Sequence, residues 1–313
     1  MNPKISLPDV ALALNVTVQA VHKKIKTRKL KFYRKTNRIY FCHDTIKPVT
    51  NFKFEPKVLA FQIIKGGVGK TSLCLWVGVR ASLYGARTLI IDLDKQGNLT
   101  KACNIKPINL PVMIDVLTNE LDINKAIVNV SPGLDLLPSR IENALLDNHL
   151  TIKRLPLDRV YKDFVTSLKD KYDLILIDCP PDLGSSVTAI TLASDCLIAP
   201  VLPSEFSTDG LDLTRAELYQ INKNFKTSVT LHPIINQYDT RTHLSNKTLS
   251  DLLINPYYKD FLLRSVIRRS QEFENAVANK ISIFDGLTGT TAKEDIDTLT
   301  KELLRIEGKP WQP

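Results

Sequence analysis

Val58-Leu-Ala-Phe-Gln-Ile-Ile-Lys65-Gly-Gly-Val-Gly-Lys-Thr71 decides the fold of this chain: an apolar strand runs into a glycine loop, and the loop runs into an apolar helix over residues 72–84. Strand, loop and helix in that order build a phosphate site. Gly66, Gly67 and Gly69 let the backbone wrap a polyphosphate with its N–H groups pointing inward, Val68 and Ser72 complete the wrap, and the helix adds its positive N-terminal end. Lys70 supplies a fixed charge to the β and γ phosphates. Thr71 offers a hydroxyl to Mg2+, an ion held through few protein ligands plus phosphate oxygens. The alternative is a glycine-rich turn without a ligand, and the flanking strand and helix argue against it.

Further strands lie outward from the loop. Residues 87–98 read as a second buried strand that ends in Asp92 and Asp94, and residues 173–178 as a third that ends in Asp178. Carboxylates at the carboxyl ends of strands sit where doubly wound sheets bind ligands. Segments 199–210 and 234–242 follow a fourth and a fifth strand. The pattern predicts an α/β fold, a doubly wound, mostly parallel sheet with helices on both faces.

The 313 residues exceed one small module and suit a large domain with an appendage, drawn at 1–50 and 51–313. The net charge of +9 is unevenly placed: residues 1–57 hold 13 Lys/Arg against 3 Asp/Glu, and the remainder is close to neutral. Such asymmetry points to nucleic acid or an anionic surface as a partner of the appendage. No apolar run approaches membrane-spanning length and no signal-peptide pattern opens the chain, so a cytoplasmic location is expected. The five cysteines, Cys42, Cys74, Cys103, Cys179 and Cys196, are widely spaced and read as reduced core residues.

Within the appendage, Leu7, Val10, Ala11 and Leu14, then Val18, Val21 and Ile25, make two short helical stripes broken near Asn15. Pro8 suits a first turn and Thr17 a cap of the second helix. That helix turns Gln19, His22, Lys23 and Lys26 outward, toward base edges or phosphates, although a lone exposed histidine such as His22 usually does nothing more. Residues 30–41 read as a β-hairpin turning at Thr36-Asn37 and crowned by Arg34, Lys35 and Arg38. Residues 46–56, with Pro48 and Pro56, read as a linker. A solvated basic cap is the alternative to a DNA-binding unit. The helix, turn, helix and hairpin resemble the winged helix-turn-helix of MerR-like and excisionase-like DNA binders over about 45 residues.

Lys65 separates this loop from ordinary phosphate loops. Its K-G-G-x-G-K-T form resembles the deviant Walker A motif of the ParA/MinD group of ATPases, and D-x-D-x-Q-G-N at 92–98 and D-x-P-P-x-L-G at 178–184 resemble further blocks of the ParA family. The likeness runs from about Val58 to Asp285. It implies ATP and Mg2+ as cofactors and a homodimer around sandwiched ATP, with Lys65 reaching the partner's phosphates in trans as an arginine finger does elsewhere. Asp94 then orients the attacking water, Asp92 supports the Mg2+ shell or merely caps a loop, Asp178 holds Mg2+ through water, and Pro180 and Pro181 stiffen the segment sensing the γ-phosphate. Asn236 matches the asparagine that meets adenine in relatives. Ser265-Val-Ile-Arg-Arg-Ser270 departs from the family's I-P-R-N form at Arg268 and Ser270.

What the resemblance implies is a nucleoid-associated, DNA-partitioning ATPase with a ParB-type centromere-binding partner, nonspecific DNA contacts drawn from Arg215, Arg241, Arg264, Arg268 and Arg269, and repression of its own operator through the appendage. Three alternatives stand beside it. A MinD-like positioner would end in a basic amphipathic helix, against which Gly308, Pro310 and Pro313 argue. A nitrogenase-reductase-like carrier would need axial cysteines, a use that Cys103 and Cys179 suit poorly. A transcriptional regulator would use ATP only as an effector.

Overall fold

The computed structural model describes residues 1–204 and 208–306. The sequence readings that fall on 205–207, within segment 199–210, and on 307–313, at the C-terminus, lie outside the described residues.

β1 (Ile5–Ser6) leads into α1 (Leu7–Ala13), where the Ser6 hydroxyl accepts from the Asp9 N–H and the Asp9 carboxylate accepts from the Ser6 N–H. Asn15 adopts a left-handed conformation (φ 51°), and α2 (Val18–Thr27) starts at Thr17, whose hydroxyl accepts from the Ala20 N–H. β2 (Tyr33–Lys35) and β3 (Arg38–Phe41) form a hairpin, and β1 joins β3 antiparallel as a third strand. Two residues are too few to show a period, so β1 has no signature in the sequence.

The linker expected over residues 46–56 is not a linker along its whole length. Residues 46–50 belong to α3 (His43–Thr50), which contains Pro48. The proline is tolerated because it lies on the exposed face of a two-turn helix, while His43, Ile46 and Val49 are buried.

The rest of the chain gives β4 (Lys57–Phe61), α4 (Lys70–Leu83), β5 (Thr88–Asp92), α5 (Asn98–Ala102), α6 (Met113–Thr118), β6 (Val128–Ser131), β7 (Leu134–Leu137), α7 (Leu146–Ile152) and α8 (Lys162–Leu168). It continues with β8 (Leu174–Asp178), α9 (Ser185–Ala193), β9 (Cys196–Val201), α10 (Asp209–Phe225), β10 (Thr230–Tyr238), α11 (His243–Ile254), β11 (Val266–Arg268), α12 (Glu272–Ala278) and α13 (Thr291–Leu304). Among the described residues eight strands form one sheet in the order β11-β10-β9-β4-β8-β5-β7-β6, parallel except for the β6–β7 edge pair. Alternate strand residues feed two cores. Leu59, Phe61, Ile90, Leu174 and Ile198 face α4 and α13, while Val58, Ala60, Ile91, Ile177 and Ala199 face the layer that includes α8, α9 and α10.

The first of these cores does not stop at the sheet. Ile5, Val10, Phe41, Ile46 and Val49 belong to the same buried cluster as Trp76, Val79 and Leu83 of α4 and Leu299 of α13. At their junction Arg80 is 2% exposed; its Nε lies 2.5 Å from Asp297 Oδ1 and its Nη2 3.9 Å from Asp9 Oδ2, with the guanidinium over the rings of Tyr84 and Phe284. Burial opposes that charge, but Asp297 outweighs it and keeps the guanidinium ionised. Lys4 N–H donates to Phe284 O at 2.9 Å and His43 Nδ1 meets Ser82 O at the same distance. The N-terminal residues thus share a core with the larger domain, and residues 51–56 join α3 to β4 without helix or strand.

Two outcomes follow from this packing. Ile46→Ala removes a fully buried side chain from the shared core and should cost about 2–4 kcal/mol in urea unfolding, with the whole chain melting in one transition; a separate early transition would show an independent unit. His232, fully buried on β10 with Nδ1 donating to Phe261 O, is pushed down by burial to about 4. The folded state therefore refuses a proton that the unfolded ring takes near its ordinary value of 6.5. Stability from this group is complete above that value and is lost as pH falls toward about 4; His232→Gln should flatten the profile in that window.

Candidate nucleotide site

The loop that joins β4 to α4 carries two glycines in left-handed conformation, Gly67 at φ 71° and Gly69 at φ 92°. Lys70 begins α4 and folds back over the loop, with Nζ 3.0 Å from Lys65 O and 3.3 Å from Ile63 O. Burial lowers its pKa, and the Asp178 carboxylate opposes that shift. Lys65 points elsewhere, its Nζ 3.5 Å from Ser204 Oγ after β9. The first turns of α10 brace this end of the loop, because Ile64 N–H donates to Thr214 Oγ1 at 3.0 Å. Val68 is buried, Thr71 and Ser72 are half-buried, and Gly66 and Gly67 are exposed.

Asp92 and Asp178 end adjacent parallel strands in direct register. Both are buried. Asp92 Oδ2 accepts from the Thr100 N–H at 2.9 Å and its hydroxyl at 2.6 Å, while Oδ1 has no hydrogen-bond partner; neither carboxylate oxygen of Asp178 has one within hydrogen-bond geometry. Burial raises both carboxyl groups, the charge of each neighbouring aspartate adds to the rise, and the nearby hydroxyls of Thr100 and Thr71 hold them down. A buried carboxylate pair with orphaned oxygens is a destabilising arrangement unless a cation neutralises it. Among the described residues no group of three or more His, Cys, Asp or Glu is arranged to hold a metal ion by itself. Two carboxylates and the Thr71 hydroxyl fit a Mg2+ that completes its shell with water and phosphate oxygens. Asp92 therefore caps the α5 turn through Oδ2, while its Oδ1 stays buried without a partner.

Asp94 lies beyond the strand end in a turn, with Oδ1 accepting from the Gln96 N–H at 2.9 Å and its carbonyl from Ser139 Oγ at 2.7 Å. Asn236 sits at the end of β10 against the loop: Nδ2 donates to Val68 O at 2.8 Å and Oδ1 accepts from the Gln237 N–H. In this arrangement it braces the loop backbone. Thr100 and Thr214, which hold Asp92 and Ile64, have no sequence motif and emerge only from the packing.

Gln19, His22, Lys23 and Lys26 are exposed on α2 opposite buried Val21 and Ile25, and Arg34, Lys35 and Arg38 are exposed on the hairpin. The arginines of the larger domain divide. Arg268 is bound by Asp295 at 2.5 Å and Glu294 at 3.3 Å, Arg241 by Asp239 at 2.7 Å, and Arg215 lies 4.2 Å over the Tyr257 ring; Arg264 and Arg269 are exposed. Arg268 and Arg241 are thus already neutralised by carboxylates, which weakens both as phosphate contacts. No helix among the described residues is long and apolar enough to cross a membrane.

Residues 56–231 match the family model described as an AAA domain. The chain is 27% identical over 256 residues to the chromosome-partitioning ATPase Soj of Treponema pallidum, covering 81% of this chain and 99% of that one. It is 30% identical over 259 residues to a virulence plasmid ParA family protein of Chlamydia psittaci, covering 79% and 94%. Among solved structures, cobyrinic acid a,c-diamide synthase of Mycobacterium smegmatis, with bound ATP analog and magnesium, aligns at TM-score 0.68 and 25% identity over 81% of this chain and 97% of that one.

The geometry predicts the effect of Gly69→Ala. A Cβ there would overlap the Asn236 amide, and the positive φ strains any L side chain. Displacing Asn236 frees Val68 O and opens the loop, so nucleotide affinity should fall at least about tenfold, roughly 1.4 kcal/mol, by calorimetric titration. Unchanged affinity would show that the Asn236 brace is dispensable.

Proposed function

The chain belongs to the ParA family of AAA-domain ATPases, and from that premise we propose that it is a MgATP-switched DNA partition ATPase. Two copies close around sandwiched ATP, bind DNA without sequence preference, and hydrolyse ATP slowly by themselves and faster when a ParB-type centromere-binding partner engages them. The observation that carries this reading is the divergence of the two loop lysines. Lys70 is turned into its own loop, whereas Lys65, at the loop's first position, is directed away toward Ser204. A lysine so directed serves the phosphates of a second copy.

Mg2+, when bound, would supply charge neutralisation to the phosphates of ATP. Thr71 would hold it directly and Asp178 through water, with Asp92 supporting that shell. The backbone N–H groups of residues 66–72 receive the phosphate oxygens and Lys70 neutralises them from within the loop. Asp94 orients the attacking water, and Lys65 of one copy stabilises charge on the other's transferring phosphoryl group. In the N-terminal unit, Gln19, Lys23 and Lys26 of α2 enter a major groove and Arg34, Lys35 and Arg38 hold the backbone beside it, as in a winged helix-turn-helix. That unit also suits repression of the protein's own operator. Such a protein works in the cytoplasm on the nucleoid.

DNA binding measured at two salt concentrations with no nucleotide, ADP or ATP tests the switch. ATP should raise affinity for unrelated duplexes at least about tenfold, steeply weakened by salt, and Lys65→Ala should abolish the gain. Binding indifferent to ATP would favour a transcriptional regulator that reads DNA through its basic N-terminal unit alone.

A further inference from the structure

The segment after Asp178, residues 179–184, is held from outside itself. At its far end Asp147 of α7 accepts from the Ser186 N–H at 2.7 Å, and a Cβ on Gly184 would overlap the same carboxylate. At its near end the Cys179 N–H donates to Phe61 O. In its middle, the Asp182 carbonyl accepts from Nε2 of Gln62 at 3.3 Å.

Gln62 is an unusual residue to find there. It directly follows β4 at the entrance to the phosphate loop and is 2% exposed. Its amide orientation is dictated by chemistry, since a backbone carbonyl only accepts and the NH2 end must face it. The carbonyl end, Oε1, is buried with no hydrogen-bond partner. A leucine or methionine would fill this volume without burying an unpaired acceptor, which costs about 1–3 kcal/mol. A side chain that lowers stability while joining two parts of a reaction site points to a task in the reaction.

We propose that Gln62 is a positioning residue for ATP hydrolysis. By holding Asp182 O it fixes Pro180 and Pro181 relative to Asp178 and the phosphate loop, so that the γ-phosphate meets a segment already in place. The assignment rests on the ATPase reading above, and it is specific to the segment rather than to nucleotide binding, because Gln62 contributes its side chain to residues 179–184 and only its backbone to the strand.

Gln62→Met keeps the volume and removes both amide groups; Gln62→Leu is the second variant. Full-length wild type and variants are compared by single-turnover hydrolysis of ATP, by affinity for MgADP, and by thermal midpoint. Both variants should melt at or above the wild-type temperature, bind MgADP within about twofold, and hydrolyse ATP about five- to tenfold more slowly. Hydrolysis within twofold of wild type in a folded variant would overturn the assignment. So would a fall in MgADP affinity in step with the rate, which marks a loop-packing role. If wild type itself hydrolyses no ATP, the ATPase reading fails and this assignment with it, a result distinct from variants that match an active wild type.

Discussion

Helix α4 must keep its first turn at the phosphate loop, and burial along nearly its whole length is what holds it there. Of its 14 residues, only Thr71 and Ser72 fall outside the buried set, and these two open toward the loop. One side of the helix lies so close to the sheet that a Cβ on Gly78 would stand 2.7 Å from Ile90 Cδ1. A helix apolar on every side needs cover on every side. The sheet covers one side, and α13, α5 and the N-terminal unit, through Ile46 and Val49, cover others. The appendage is therefore part of the scaffold that positions the loop, whatever else its surface does.

Two buried charge clusters lie along this scaffold and differ in kind. Arg80 is matched by Asp297 and, at 3.9 Å, by Asp9, while Asp297 also accepts from the Tyr84 hydroxyl and pairs with Lys301 at 3.0 Å. Its charges are paired, so the cluster resists change and locks α1, α4 and α13 together. Asp92 and Asp178 have the opposite character. Like charges share a dry site with oxygens left unpaired, which raises both carboxyl groups and favours any cation that enters. One cluster fixes the frame, and the other stores a binding preference for the site.

Most of the catalytic frame is legible because its residues lie in contiguous runs. Residues 58–71 announce strand, loop and helix, and the strands ending at Asp92 and Asp178 announce themselves by apolar runs broken by a carboxylate. The α2 cap at Thr17 and the left-handed Asn15 are readable for the same reason, since capping and turn chemistry are local. What escapes is nonlocal. Pro48 disguises a helix whose register is set by packing on α4. The family pattern gives Asn236 to a base, yet 168 residues of separation conceal that its amide braces Val68. Gln62 sits inside the most legible segment of all and still gives no signal, because a polar residue at a strand end has meaning only when its partner is known.

The charge distribution and the packing together constrain how a nucleotide could govern DNA contact. The larger domain is close to neutral, with Arg241 and Arg268 paired internally, so the strong positive potential belongs to the N-terminal unit. That unit is joined to α4 through a shared core and the Arg80 cluster, so its exposed basic face cannot swing independently of the phosphate loop. Nucleotide occupancy then has little means of changing the basic surface within one copy. In the proposed switch it acts by bringing copies together, which would double the charge presented to a duplex and fix the distance between its two halves. Each further DNA phosphate neutralised by a second copy adds roughly linearly to the logarithmic salt dependence, so in that switch the nucleotide would set not only the affinity for DNA but the steepness with which salt removes it.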